Sequence, residues 1–195
     1  MKNCDQKTDE QLVSLTLQDE DWYLCLMNRY EDKLIRYIKR ISSATDEDAE
    51  DILQEVFIKA YQNLNDFDQG LKYSSWIYRI THNQVISQFR KVQARPQLIG
   101  SEDSEIILNL IADDSNHDVK EKIDNSLRSE KIKLALTKLD NKYQEVLVLK
   151  YLEDYNYKEI SDILRKPEGT ISTLISRAKK KLKDIILKEG KEQYE

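Results

Sequence analysis

Apolar residues recur every three or four positions along most of this 195-residue chain, and this spacing predicts α-helices. Thr8 and Gln11 have the spacing of a capping box, which would open a short helix ending near Leu17. A longer helix follows, and its apolar stripe consists of Trp22, Leu26, Tyr30, Leu34, Ile38 and Ile41. We therefore expect an all-α protein.

The next predicted helix has one apolar face and one acidic face. It follows a break at residues 42–46, and its apolar face consists of Ala49, Ile52, Leu53, Val56, Phe57, Ala60, Tyr61 and Leu64. Its other face begins with six acids, which are Asp46, Glu47, Asp48, Glu50, Asp51 and Glu55. Acids in a first helical turn interact favourably with the helix dipole, but six exceed that need. The surplus indicates either a docking surface for a basic partner or a simply solvated face.

A third long helix, predicted over residues 73–92, mixes aromatic, amide and cationic side chains and contains no acid. It follows a loop at residues 65–71 that is rich in Asn, Asp and Gly. Rings that stack on bases, amides that reach base edges and cations that reach phosphates suit a single-stranded nucleic acid. The alternative is that Trp76 and Tyr78 are core aromatics.

Residues 156–182 have the pattern of a helix-turn-helix. Asn156 and Glu159 suit a capping box at the first helix, and Pro167 suits the start of the second. The second helix has a buried stripe and a polar face, the stripe consisting of Ile171, Ile175, Ala178 and Leu182. In a helix-turn-helix the second helix enters the DNA major groove. The alternative is an ordinary helical hairpin.

The net charge of −5 conceals two basic zones that are separated by an acidic one. Residues 71–95 contain five cations and no acid, and residues 165–191 contain nine Lys or Arg against three acids. Residues 96–125 contain eight acids against two lysines and lack regular periodicity. Such a length without periodicity is typical of a linker between domains. We expect a domain at 1–92, a long acidic linker at 93–125 and a second domain at 126–195.

No sequence feature indicates catalysis, a cofactor or a metal. The four glycines form no phosphate-binding loop, and His82 and His117 are isolated. Cys4 and Cys25 have no metal-binding spacing, so we expect reduced thiols in a cytoplasm. No apolar run has membrane-spanning length. The expected protein is a cytoplasmic non-enzyme without membrane insertion.

Two blocks of the chain resemble the group IV, or extracytoplasmic-function, sigma factors of the sigma-70 family. Residues 48–91, which begin DAEDILQEVF and include SSWIYRI, resemble region 2 of that family. Residues 139–182, which include YKEISDIL and PEGTISTLISRAKKKL, resemble region 4. The resemblance covers most of the chain and implies a bacterial transcription initiation factor made of two helical domains. Its implied partners are core RNA polymerase and promoter DNA.

The resemblance also implies which residues bind each partner. The clamp of the largest polymerase subunit would contact Asp48, Asp51, Gln54, Glu55 and Lys59. The minus-ten element would be read and melted by Asn65, Asp66, Phe67, Tyr73, Ser74, Trp76, Arg79, His82, Asn83, Ser87, Arg90 and Lys91. The minus-thirty-five element would contact Lys166, Thr170, Ser172, Thr173, Ser176, Arg177 and Lys180. Neighbouring region 4 surface would meet the polymerase flap.

The chain departs from the family in the turn and the reading helix. Arg165–Lys166 stands where the family usually has Gly and an apolar residue, and Ser172, Leu174 and Ser176 stand where cations are common. A common Asp of the minus-ten helix is Ser87. We expect region 4 to hold DNA by its backbone and to read sequence weakly, unless short side chains read an AT-rich element through methyl contacts and shape.

Promoter choice would then depend on the minus-ten element or on a second protein that delivers the factor. An anti-sigma factor or a recruiting complex is therefore a further expected partner. Two alternatives for the whole protein remain, a stand-alone helix-turn-helix regulator and a single-strand-binding adaptor that works without polymerase.

Overall fold

The computed structural model describes residues 3–42, 44–68, 70–93, 132 and 134–192, and its regular secondary structure in these segments is helical. Its α-helices include α1 (Asp9–Thr16), α2 (Tyr23–Ile41), α3 (Asp46–Gln62), α4 (Tyr73–Gln93), α5 (Asn141–Leu147), α6 (Tyr157–Leu164) and α7 (Glu168–Glu192). The prediction of an all-α fold is confirmed. Within the described segments no helix is both long and apolar enough to cross a membrane.

The predicted linker lies almost entirely outside the described residues. So does the predicted start of the second domain at residue 126. The helices on either side of this stretch form two groups, α1–α4 and α5–α7.

Helices α1–α4 surround one core. Capping boxes begin two of them, Thr8 with Gln11 at α1 and Thr45 with Asp48 at α3. The first of these was predicted from the sequence. The apolar stripes of α2 and α3 face inward, and Leu26, Leu34 and Val56 are fully buried. Burying each such side chain contributes about 1.5–3 kcal/mol relative to leaving it exposed.

The prediction that Tyr61 of α3 belongs to the core is wrong. Tyr61 was placed on the apolar face, but its side chain is 42% exposed. Its ring packs on the rim of the core against Tyr23, with centroids 5.1 Å apart, and its hydroxyl donates to Glu20 Oε2 at 3.2 Å. The amphipathic character of tyrosine explains the error, because its hydroxyl reaches a polar partner while the ring contacts apolar surface.

Helices α6 and α7 form the predicted helix-turn-helix. Asn156 Oδ1 accepts from the Glu159 backbone N–H, and Glu159 returns a bond to Asn156, so the predicted capping box is confirmed. Arg165 ends α6 with a left-handed φ of 51°. Ile171, Ile175 and Ala178 of the predicted stripe are buried, and Leu182 is partly buried against the core.

Cys4 and Cys25 form a disulfide, so the expectation of reduced thiols was wrong. The segment before α1 folds back over the first turns of α2 and brings the two Cα atoms to 5.5 Å. Neither cysteine has local spacing that signals a partner, because 21 positions separate them. Only the tertiary path of the chain brings them together.

Candidate functional site

The acidic face of α3 is open to solvent. Asp48, Asp51, Gln54, Glu55 and Lys59 are all exposed. Asp48 also has a structural role, because its carboxylate accepts the Thr45 hydroxyl at 2.8 Å as part of the cap. The Lys59 ammonium donates a hydrogen bond to the side-chain oxygen of Gln84 on α4. Between Asp48 and Lys59, the residues Asp51, Gln54 and Glu55 form a row on the exposed face.

An exposed apolar side chain extends this row. Ile58 is 51% exposed and lies one helical turn beyond Gln54 and Glu55. Sequence reasoning did not select it, although the spacing of three and four residues places it on the same face. A surface that combines carboxylates with an exposed aliphatic side chain is suited to a protein partner.

The aromatic residues predicted to act on minus-ten DNA are buried together at the start of α4. Phe67, Tyr73 and Trp76 are no more than 7% exposed. The Trp76 ring lies 5.3 Å from Phe67 and 5.7 Å from Tyr73 between centroids. Burial raises the pKa of Tyr73 well above its usual value.

The polar members of the same predicted set fall into two groups. Asn65, Asp66, Asn83 and Ser87 are exposed. By contrast, Ser74, Arg79 and His82 face the helices of the second group. The side chains of Arg90 and Lys91 lie outside the described part of α4.

Ser74, Arg79 and His82 each lie beside a residue of the second group of helices. Ser74 lies beside the Tyr155 side chain, and His82 Nε2 lies 3.4 Å from Glu145 Oε1 without the alignment of a hydrogen bond. Arg79 lies near Arg165 and Asp162 of the helix-turn-helix. Burial, and then repulsion by Arg165, lowers the pKa of the Arg79 guanidinium. The part of α4 that carries Ser74, Arg79 and His82 is therefore covered by residues 145–165, whereas Asn83 and Ser87 stay exposed.

A clasp of charged and polar residues fastens the two groups of helices. Its centre is Glu153, which accepts from Arg40 Nη1 at 2.8 Å and from the Tyr78 hydroxyl at 2.6 Å. Gln144 Nε2 donates to the backbone carbonyl of Arg40 at 2.7 Å. The Glu153 side chain is only 8% exposed. Burial and the neighbouring Glu153 raise the pKa of Tyr78.

A second interdomain pair joins Lys72 to Glu159. The ammonium lies 2.6 Å from Glu159 Oε1, and the lysine side chain is 68% exposed. Burial raises the pKa of Glu159, but the bonds from Lys72 and from the Asn156 amide outweigh it and lower that pKa overall. Sequence periodicity could not identify Glu153 or Glu159 as interface residues, because their partners lie 113 and 87 positions away.

The polar face of α7 is exposed as predicted. Thr170, Ser172, Thr173, Ser176, Arg177 and Lys180 all project into solvent. The Thr173 hydroxyl, however, donates to the Gly169 carbonyl at 2.9 Å within the helix. Leu174, one of the departures from the family, is half-buried against the core. Lys166 is half-buried, and its carbonyl accepts the Ser161 hydroxyl at 2.6 Å.

Comparison with known proteins identifies the family of this chain. The family model Sigma-70 region 2 matches residues 26–95, and the model Sigma-70, region 4 matches residues 129–182. The ECF RNA polymerase sigma factor SigW of Bacillus subtilis is 35% identical over 170 residues, which span 85% of this chain and 89% of SigW. The chain belongs to the sigma-70 family, in its extracytoplasmic-function branch. This sigma factor is therefore a transcription initiation factor, and the alternative of a stand-alone regulator is set aside.

Further relatives agree with this membership. The ECF RNA polymerase sigma-E factor of Haemophilus influenzae is 29% identical over 189 residues, covering 94% of this chain and 97% of that protein. Among solved structures, CnrH in complex with the cytosolic domain of CnrY has a TM-score of 0.65 at 19% identity, over 92% of this chain and 97% of CnrH. The sigma factor RpoE of Bartonella quintana, in complex with the anti-sigma factor NepR, has a TM-score of 0.60 at 23% identity, over 82% of this chain and 93% of RpoE. These likenesses show that the sigma factors share this fold.

Proposed function

We propose that this sigma factor docks on core RNA polymerase through α3, opens promoters with residues 65–91, and holds upstream DNA with α7. The working division is region 2 at residues 1–92, a linker at 93–125 and region 4 at 126–195. The protein would act in the cytoplasm as a non-catalytic subunit, because polymerase supplies the chemistry. The observation that carries the proposal is the exposed acidic row of α3, whose opposite face is buried in the core.

The composition of the α3 face favours a protein partner over plain solvation. Asp51, Gln54 and Glu55 form a carboxylate-rich row, and Ile58 continues it with 51% of its surface exposed. Complementary charge guides encounter and fixes register, whereas a buried apolar contact supplies affinity. We assign this row to the clamp of the largest polymerase subunit.

Binding of minus-ten DNA by α4 requires region 4 to leave it. Ser74, Arg79 and His82 face region 4 in the present arrangement. Extruding a base costs a few kcal/mol, and stacking on an aromatic ring returns about 1–3 kcal/mol per base. We propose that polymerase separates the two regions and so exposes this face. A protein that holds the regions together, of the anti-sigma class, would inhibit the factor.

The region 4 helix is proposed to bind upstream DNA mainly through phosphates. Arg177 and Lys180 are exposed cations on the polar face of α7, whereas Ser172 and Ser176 offer only short side chains. Bidentate base contacts come from Arg, Lys, Asn and Gln and provide about 1–3 kcal/mol of discrimination each. The neighbouring surface of region 4 would contact the polymerase flap.

Charge reversal on α3 tests the docking assignment. Asp51→Lys combined with Glu55→Lys should abolish capture of purified core polymerase and leave helical content unchanged, because both residues are exposed. The matched control is Glu31→Lys combined with Asp32→Lys, which makes the same charge change on an exposed part of α2. Normal polymerase binding by the α3 variant, or an equal loss in the control, would disprove the assignment.

A further inference from the structure

The disulfide links two parts of region 2 that differ in accessibility. Cys25 is the third residue of α2 and is 4% exposed, whereas Cys4 is half-buried at the edge of the core. In a reducing cytoplasm disulfides are rare, and those that form are commonly transient or redox-sensing. A disulfide in a protein proposed to act there therefore suggests a conditional modification.

We propose that Cys4 and Cys25 form a reversible redox site that controls how firmly the N-terminal segment is held against the start of α4. Oxidation would occur by exchange with a low-molecular-weight disulfide. The Cys4 thiolate attacks that disulfide and releases one small thiol. The Cys25 thiolate then attacks the Cys4 sulfur and releases the second. Two protein thiols are oxidised, and one small disulfide is reduced to two thiols.

The contacts beside the disulfide fasten the same segment. Arg29 follows Cys25 by one helical turn on the same face of α2. Its guanidinium donates to Asp9 Oδ1 at 2.6 Å, to the Cys4 carbonyl at 2.7 Å and to the Lys7 carbonyl at 3.1 Å. The Tyr30 hydroxyl also donates a hydrogen bond to the Asp9 carboxylate. The disulfide therefore reinforces a turn that non-covalent bonds already shape.

This segment reaches the first residue of α4. Glu10 Oε1 accepts the backbone N–H of Tyr73 at 3.4 Å. The N–H groups of a first helical turn have no partner within the helix, so Glu10 satisfies one of them. The rings of Tyr30 and Tyr73 are also in edge contact, with centroids 5.5 Å apart. Through these two contacts, loosening of the N-terminal segment affects the start of α4.

The consequence for DNA rests on the proposed role of α4. Glu10 places a carboxylate beside Lys72 and the Tyr73 N–H, and a carboxylate there repels the phosphates of a nucleic acid that approaches the start of α4. The oxidised protein, which retains this carboxylate more firmly, should open promoters more slowly than the reduced protein.

Hydrogen exchange measured by mass spectrometry tests the site itself. The purified full chain is equilibrated with glutathione disulfide or with reduced glutathione. In the oxidising buffer we expect loss of two hydrogens without a retained glutathione adduct. Because the bond closes a loop with a separation of 21, reduction should accelerate exchange of the α1 amides and of the Tyr73 amide by up to about 100-fold. Amides of the α7 stripe should not change.

The matched variant is Cys4→Ser, which removes the more accessible cysteine and leaves the core residue Cys25 in place. It should behave like the reduced wild type in both buffers. A wild type whose mass is the same in both buffers, or whose exchange is unaffected by the disulfide, would overturn the proposal.

Strand opening by the reconstituted holoenzyme separates this inference from the proposed function. On a promoter selected from a randomised library, permanganate reactivity should appear about fivefold faster with reduced than with oxidised protein, the effect of about one net hydrogen bond. Equal rates together with redox-dependent exchange would retain the redox site but overturn its coupling to DNA. Failure of both forms to bind polymerase would instead count against the proposed function.

Discussion

Trp76 lies between the rings of Phe67 and Tyr73, and only 7% of its surface is exposed. The sequence left two roles open for this residue, a core aromatic and a stacking platform for bases. The structure places its ring in the core of region 2 in the closed arrangement. A role in strand opening stays a prediction, and its test must separate loss of stacking from loss of stability.

We therefore predict that Trp76→Ala lowers the free energy of unfolding by about 3–5 kcal/mol, because the ring leaves a cavity in the core. Trp76→Phe keeps an aromatic ring and should lower the free energy of unfolding clearly less. Urea unfolding of the two variants measures both effects. Permanganate footprinting is then informative for the Phe variant. If the Ala variant is as stable as the wild type, the Trp76 ring does not contribute to the core.

Helix α7 shows how one element divides its residues between folding and DNA. Its stripe of Ile171, Ile175 and Ala178 is buried, and its opposite face is polar and exposed. Thr173 already donates its hydroxyl to the Gly169 carbonyl, which leaves that side chain less free to donate to a base. The remaining early positions, Thr170, Ser172 and Ser176, offer short hydroxyl side chains rather than the bidentate groups of Arg, Lys, Asn or Gln.

We predict that holoenzyme selection from a randomised promoter library yields a defined minus-ten motif and a weak upstream motif. Lys180→Ala should weaken binding about equally for all sequences and lower the salt slope by about one, as expected for a phosphate contact. Ser172→Ala serves as the matched short-side-chain control. A sharp upstream motif that disappears in the Ser172 variant would contradict the idea of a weak reader.

At the scale of the whole molecule, the two regions are held by apolar packing, such as that of the Tyr78 ring on the Tyr155 ring, and by polar contacts. Glu153 is nearly buried and receives both Arg40 and Tyr78 from region 2. Lys72 and Glu159 form a more exposed pair, and such pairs contribute about 0–1 kcal/mol. The Glu153 clasp should therefore contribute more to closure than the Lys72 pair.

We predict that Arg40→Ala shifts the protein towards a separated form. A hydrogen bond to a charged group contributes about 1.5–3 kcal/mol, so the open fraction should rise about tenfold to a hundredfold. Small-angle scattering and energy transfer between dyes on the two regions measure this shift. Lys39→Ala is the matched control, because Lys39 pairs with Asp46 inside region 2. Equal compactness of the Arg40 variant and the wild type would show that the clasp does not hold the regions together.

The sequence by itself determined the helices and their faces. Stripes such as Ala49, Ile52 and Val56 predict burial because a helix repeats every 3.6 residues. Capping boxes such as that of Asn156 and Glu159 act over three residues, so local sequence specifies them. The motifs of regions 2 and 4 also indicated the family, which the comparisons confirmed.

Only the tertiary structure decided which functional side chains are covered and which cysteines meet. The Arg40–Glu153 bond spans 113 positions, and Cys4 meets Cys25 across 21. Helical periodicity carries no information about such pairs, because it gives the direction of a side chain around its own helix and not the element that lies opposite. The exposure of Tyr61 and the half-burial of Leu174 have the same origin, since each depends on what the neighbouring helices place beside it.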